Sequence, residues 1–252
     1  MKDLIKMYFD KKVVEDFAEH EQNEKNFKVA EIVDSVIMQT ISIFSNFKAV
    51  ELAHPDRYHV FFDALIQNNA IDWVDVSPHM LELAKKYIDT DVYKNRLDVI
   101  TFIENDILSY LQSIDDNSLN LAIMKYTIDH IQDIDALFLL LSQKLKKGCL
   151  VSSVVLSPEL KSISTNARFL YNGEEFSVNE TRTLQDGDTF TVKFFNVSKP
   201  EFYIPETTKY YHSKEKYEQT AKKYFDIFVG DWKQIVSQQD NSMDQDVLVL
   251  RK

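Results

Sequence analysis

Apolar positions recur along this chain in two alternating rhythms. Val29, Val33, Val36, Ile37, Thr40, Ile41 and Phe44 share one helical stripe and predict a helix over Asn26–Phe44. Lys2 to Phe17 has helical spacing with weaker caps, and Tyr58–Ile66 places Tyr58, Phe61, Phe62 and Leu65 on one face. Short apolar runs between such stripes predict buried strands over Phe47–Ala53, Ala70–Val76, Leu97–Ile103, Leu119–Met124 and Leu150–Leu156. Ser77-Pro78 opens a helix running through Met80, Leu81, Leu83, Ala84, Tyr87 and Ile88; serine caps free amides and proline fits the first helical position. Ile134–Leu145 predicts a further helix, closed by Lys146-Lys147 and then Gly148. Strands alternating with helices predict an α/β fold with a mostly parallel sheet covered on both faces.

The rhythm changes after Ser157. Ser157–Leu170 has the spacing of another crossover helix, and Gly173–Tyr203 is rich in Thr, Val and Phe. The turn Asp186-Gly187-Asp188 between apolar runs predicts a hairpin or small β insertion. Ser213–Tyr224 returns to helix, Phe225–Val229 to strand, and Asp246–Leu250 to a closing strand. The expected organisation is therefore an N-terminal helical cover (1–46), an α/β core (47–156), a lid or β insertion (157–212) and a C-terminal completion of the sheet (213–252).

A chain of 252 residues can bury a full core without staples. Its formal charge of −11 argues against nucleic acid as the main partner, because such binding rests on clustered Lys and Arg. A neutral or cationic small molecule is easier to accept, although the same charge also serves solubility. One cysteine, Cys149, excludes an internal disulfide and reads as a core thiol. No apolar run is long enough to span a membrane and the N-terminus lacks a signal-peptide core. The expectation is a cytoplasmic protein with no membrane partner, a monomer or homodimer.

In an open parallel sheet, ligands bind beyond the carboxyl ends of the strands. Polar groups collect there: Glu51 to Arg57 after the first strand, Asp75 after the second, Glu104-Asn105-Asp106 after the third. Lys125-Tyr126-Thr127, then Asp129-His130, follow the fourth. Asp75 is either a polar strand exit or a grip on a ribose diol, since one carboxylate can accept from both hydroxyls. Asp106 either caps the stretch beginning at Ile107 or accepts from an adenine amino group. His130 is either a satisfied histidine or a base beside the cleft. His54 and His59 lack the spacing of a metal site.

The segment Trp73-Val74-Asp75-Val76-Ser77-Pro78-His79-Met80-Leu81-Glu82-Leu83-Ala84 resembles class I S-adenosylmethionine-dependent methyltransferases of the small-molecule kind. Asn105-Asp106, Ser118-Leu119-Asn120-Leu121-Ala122-Ile123, Ile128-Asp129-His130-Ile131 and Leu145-Lys146-Lys147-Gly148 extend the likeness from Phe47 to Leu156, with Asn120 replacing the usual Asp. The resemblance implies a Rossmann-like, doubly wound, seven-stranded sheet and methyl transfer from S-adenosylmethionine to a small acceptor. It implies cofactor contacts at Glu51, Ala53, His54, Arg57, Asp75, Val76, Ser77, Met80, Asn105, Asp106, Ile107 and Lys125. It leaves His130 and Tyr126 as candidate bases, with Asp129 orienting or binding a cation, and no metal. The first loop departs from the family's glycine-rich pattern: Ala53, Pro55 and Arg57 stand at the three glycine positions. Ala53 is a mild replacement provided its φ is negative, whereas Pro55 fixes φ and removes a donor. Arg57 either pairs with the cofactor's carboxylate or bridges to Glu51 or Asp56 and closes the pocket. The competing expectations are an inactive binding or assembly subunit that keeps the fold, and a pocket for a different nucleoside.

Overall fold

The computed structural model describes residues 10–12, 14–15, 48–53, 70–88, 99–125, 127–155, 159–161, 167–171, 174–175, 181–196, 199–229 and 245–252. The expected helices over Asn26–Phe44 and Tyr58–Ile66 lie outside these residues, as do His54, Pro55, Arg57 and Tyr126. Of the first expected helix, only residues 10–12 and 14–15 are described.

The core alternates as its pattern dictates: β1 (Lys48–Leu52), β2 (Ala70–Asp75), α1 (Pro78–Ile88), β3 (Ile100–Glu104), α2 (Ile107–Ser113), β4 (Leu119–Met124), α3 (Ile134–Lys144) and β5 (Leu145–Val155). Near the C-terminus come α4 (Lys214–Tyr224), β12 (Ile227–Val229) and β13 (Gln245–Arg251). The main sheet runs in the order β12-β13-β5-β4-β1-β2-β3. Strands β1 to β5 are parallel neighbours, while β13 lies antiparallel between β5 and β12. The chain winds outward from β1 to β3, then returns to place β4 on the other side of β1. That reversal between β1 and β4 is the switch point at which such sheets open a crevice.

Burial follows from two-sided cover. Every residue of β2 after Ala70 is buried, and in β1 only Lys48 is not. Such strands read as continuous apolar runs because neither face meets water. One core unites β1, β2 and β4 with α2, α3 and α4; Phe138 of α3 meets Phe225 edge-on at 5.9 Å and lies 6.4 Å from Tyr217 of α4. Such aromatic pairs add about 0.5–1.5 kcal/mol each beyond the area they bury.

The described strands between Glu159 and Tyr210 form a separate β system. It comprises β6 (Glu159–Lys161), β7 (Ala167–Tyr171), β8 (Glu174–Glu175), β9 (Thr181–Thr183), β10 (Thr189–Asn196) and β11 (Lys199–Tyr210). Four strands pair in the order β11-β10-β7-β8, and β6 pairs with β9. Where residues of the helix expected over Ser157–Leu170 are described, at 159–161 and 167–170, they are strand, which corrects that expectation. Residues 167–171 lie along β10 in antiparallel register, and that ladder outweighs a weak helical spacing. Asp186-Gly187 does turn, with Gly187 at φ 89°, but it joins β9 to β10, which do not pair with each other. The hairpin is instead the β10–β11 pair.

A second correction concerns the end of α3. The sequence places Gly148 just past this helix, yet Leu145 is already extended (φ −77°, ψ 124°) and pairs with Leu119. Gly148 is inside β5. The last helical carbonyls find a cation instead: Lys252 Nζ donates to Ser142 O at 2.6 Å and Leu145 O at 3.1 Å.

Candidate functional site

The strand ends on either side of the switch point carry the sequence's candidates. At the end of β1, Glu51 is buried, and Ala53 donates its backbone N–H to Val74 O at 2.7 Å. Ala53 has φ 60°, so the condition under which alanine would be a mild replacement is not met. Ala53 takes the left-handed backbone that glycine adopts freely, and holds it at a cost of roughly 1–2 kcal/mol. The contact to β2 fixes the turn despite that cost.

At the end of β2, Asp75 is buried and its Oδ1 accepts from Ser77 N at 2.8 Å. Ser77 Oγ in turn accepts from Met80 N at 3.1 Å, closing the first turn of α1 as the Ser-Pro pair predicts. Val76 lies between Asp75 and Ser77, and Met80 is buried beneath the turn. At the end of β3, Asn105 N donates to Asp75 O at 3.0 Å, tying the second and third strand ends together. Asn105 Oδ1 accepts from Asp106 N, and Asp106 Oδ1 caps α2 by accepting from Ser109 N, each at 2.9 Å. The capping reading of Asp106 is thus realised, just ahead of the half-buried Ile107. The cap occupies one carboxylate oxygen.

On the other side of the switch point, β4 ends at buried Lys125, whose carbonyl accepts from Thr127 Oγ1 at 2.7 Å. A 3-10 turn over Ile128–His130 follows, with Asp129 buried and His130 partly exposed. Three successive residues here are fastened to the end of β11 and the segment just after it. Asp129 Oδ2 accepts from Lys209 Nζ in an ion pair whose two side chains are almost wholly buried. His130 Nδ1 lies 3.1 Å from Thr208 O, and His212 Nε2 lies 3.0 Å from Ile131 O. The sequence placed His130 and Asp129 but gave no sign of Thr208, Lys209 or His212. Those partners lie 78 to 81 residues further along the chain. Lys209 lies in β11, and nothing in that strand's sequence says what it meets.

The electrostatics of this turn follow from burial. Desolvation holds the His130 pKa below the ordinary histidine value; Asp129 pulls it up, Lys209 pushes it down, and the Thr208 carbonyl pulls it up. Burial also lowers His212, and it raises Tyr217 well above the usual tyrosine value. A carbonyl can only accept, so each ring nitrogen facing one carries the hydrogen. In its neutral form His130 then holds its proton on Nδ1, which leaves a lone pair on Nε2. That is the protonation state a general base requires near pH 7. Asp129 is committed to Lys209, and among the described residues its Oδ1 has no hydrogen-bond partner.

Residues 60–152 match a family model described as a methyltransferase domain. No curated protein matches the chain. Among solved structures, a protein of Pyrococcus horikoshii is 19% identical, covers 92% of each chain and superposes with a TM-score of 0.57. An S-adenosylmethionine-dependent methyltransferase of Methanosarcina mazei is 11% identical over 86% of this chain and 96% of that one, with a TM-score of 0.54. Another from Clostridium acetobutylicum is 13% identical over 90% and 89%, with a TM-score of 0.52. At these identities the likeness is one of fold.

Proposed function

We propose that this chain is a class I S-adenosylmethionine-dependent methyltransferase that methylates a nucleophilic atom of a small-molecule acceptor, with His130 taking the acceptor's proton. One observation carries the reading. A buried carboxylate at the end of β2 and the His130 imidazole after β4 lie on opposite sides of the switch point, at the same edge of the sheet. The donor set fits the cofactor. Asp75 suits the ribose diol, and the oxygen of Asp106 not used by the cap suits an adenine amino group. Ala53 keeps the backbone form of the glycine turn, where the amino-acid end would lie. Arg57, outside the described residues, is the cation we assign to that end's carboxylate.

When bound, S-adenosylmethionine supplies a methyl group already activated by a cationic sulfur. The protein's task is then orientation and a dry site. His130 Nε2 accepts the proton released as the acceptor's lone pair forms its new bond to carbon. Lys209 neutralises Asp129, so the buried turn offers no free negative charge to a cationic acceptor. A neutral hydroxyl or amine suits it better.

The test is calorimetric titration of the protein with S-adenosylhomocysteine. Saturable binding is expected, weakened about tenfold or more, equivalent to about 1.4 kcal/mol or more, by Asp75→Ala. Absence of binding at about 1 mM ligand would instead favour a binding subunit that keeps the fold without the cofactor. Binding left unchanged by Asp75→Ala would overturn the ribose assignment.

A further inference from the structure

We propose that the end of β11, through the Thr208 carbonyl and Lys209, together with His212 just after it, is the positioning element that fixes the orientation and tautomer of His130. The inference rests on His130 as the base, but it concerns how the ring is held.

The geometry is specific. Asp129, His130 and Ile131 are consecutive, and each is bound by a different group within the five residues from Thr208 to His212. One contact is an ion pair between side chains, one joins a ring to a main-chain carbonyl, and one joins a main-chain carbonyl to a ring. Each restrains a different degree of freedom. The ion pair sets the depth of the turn. The Thr208 carbonyl sets the His130 ring plane and puts its hydrogen on Nδ1. His212 holds the next carbonyl, and to do so it must carry its hydrogen on Nε2. The two rings therefore take opposite tautomers.

The clamp is also buried. Asp129, Lys209, Tyr211, His212 and Tyr217 are all inside, and the His212 ring meets the Tyr217 ring edge-on at 5.7 Å. Among the described residues, the charged groups acting on His130 are Asp129 on its own turn and Lys209 on β11, which pull its proton affinity in opposite directions. Such a pair is worth little as a source of stability next to an apolar substitute. As a device for position it does more, because loss of either member leaves the other buried alone.

Long-range nitrogen–proton NMR of the uniformly 15N-labelled full chain reads the tautomers without cofactor or acceptor. The expected result is Nδ1–H for His130 and Nε2–H for His212. His130 in the Nε2–H form would overturn the proposal. Titration of His130 in two variants gives the second reading. Lys209→Met removes the cation and should raise the His130 pKa; Asp129→Asn removes the anion and should lower it. Shifts in the same direction, or none in either, would overturn the electrostatic part of the clamp. If a variant does not fold, the wild-type tautomers still decide. A His130→Gln chain that transfers methyl groups normally would refute His130 as the base while leaving the clamp intact, so the two failures are distinguishable.

Discussion

The two sides of the candidate site are assembled by different means. On the β2–β3 side the side-chain oxygens of Asp75, Ser77, Asn105 and Asp106 accept hydrogen bonds from backbone amides close by in the sequence. The partners are two, three, one and three residues away. On the β4 side the contacts of Asp129, His130 and Ile131 cross 80, 78 and 81 residues. Local contacts form with their own turn and cost little loop-closure entropy, whereas distant ones exist only once the whole fold is in place. The first side is a property of the core. The second is a property of the core and the β insertion together.

Four changes sharpen or break this contrast. The largest effect is expected for Lys209→Met, which leaves the Asp129 carboxylate buried without its cation. It should cost about 3–5 kcal/mol in urea-induced unfolding, and a loss below about 1 kcal/mol would mean that the turn does not depend on β11. Acidification should be felt next. His130 and His212 have folded-state pKa values depressed by burial, so the unfolded chain binds more protons than the folded one as pH drops. Their contribution is complete above the ordinary value of about 6.5 and is lost as pH falls through the lower folded values. Unfolding midpoints measured from pH 8 to pH 5 should fall in that window, and replacing both rings by glutamine should flatten the decline.

The local side should respond more weakly. Asp106→Ala removes the cap of α2 and should cost about 1 kcal/mol, with the Asp129–Lys209 pair undisturbed. A loss of several kcal/mol would mean that this side also has long-range dependence. Ala53→Gly should make the smallest change and the only gain. Relief of the left-handed strain of about 1–2 kcal/mol is offset by the unfolded-state freedom of glycine, about 0.4–1 kcal/mol, so stability should rise by about 0–1.6 kcal/mol, about 0.8 kcal/mol at mid-range. Destabilisation would show that the turn at φ 60° is not maintained in solution.

The same division governs what could be read from the sequence. Strand ends, the Ser77-Pro78 start of α1 and the capping role of Asp106 are written in neighbouring residues, and periodicity finds them. The α/β order of the core was legible because two-sided burial leaves continuous apolar strands. Ala53 was harder, since nothing in its identity announces a positive φ that only the hydrogen bond to Val74 explains. The helix expected over Ser157–Leu170 failed because residues 167–171 take their conformation from β10, a partner some twenty residues away. Lys209 was invisible for a like reason: a lysine in a strand reads as solvent-facing until the carboxylate it meets is known.

The fastening of Asp129, His130 and Ile131 to the end of β11 also bears on what counts as one transferable module. The span that matches a methyltransferase domain, residues 60–152, contains His130 but neither the carbonyl nor the ammonium that orients its turn. A graft of that span into another protein would carry the ring and leave its restraints behind. Recombination among relatives that differ in the insertion would have to exchange the turn after β4 and residues 208–212 as a set. The unit that carries the restraints of this turn is thus two short stretches far apart in the chain.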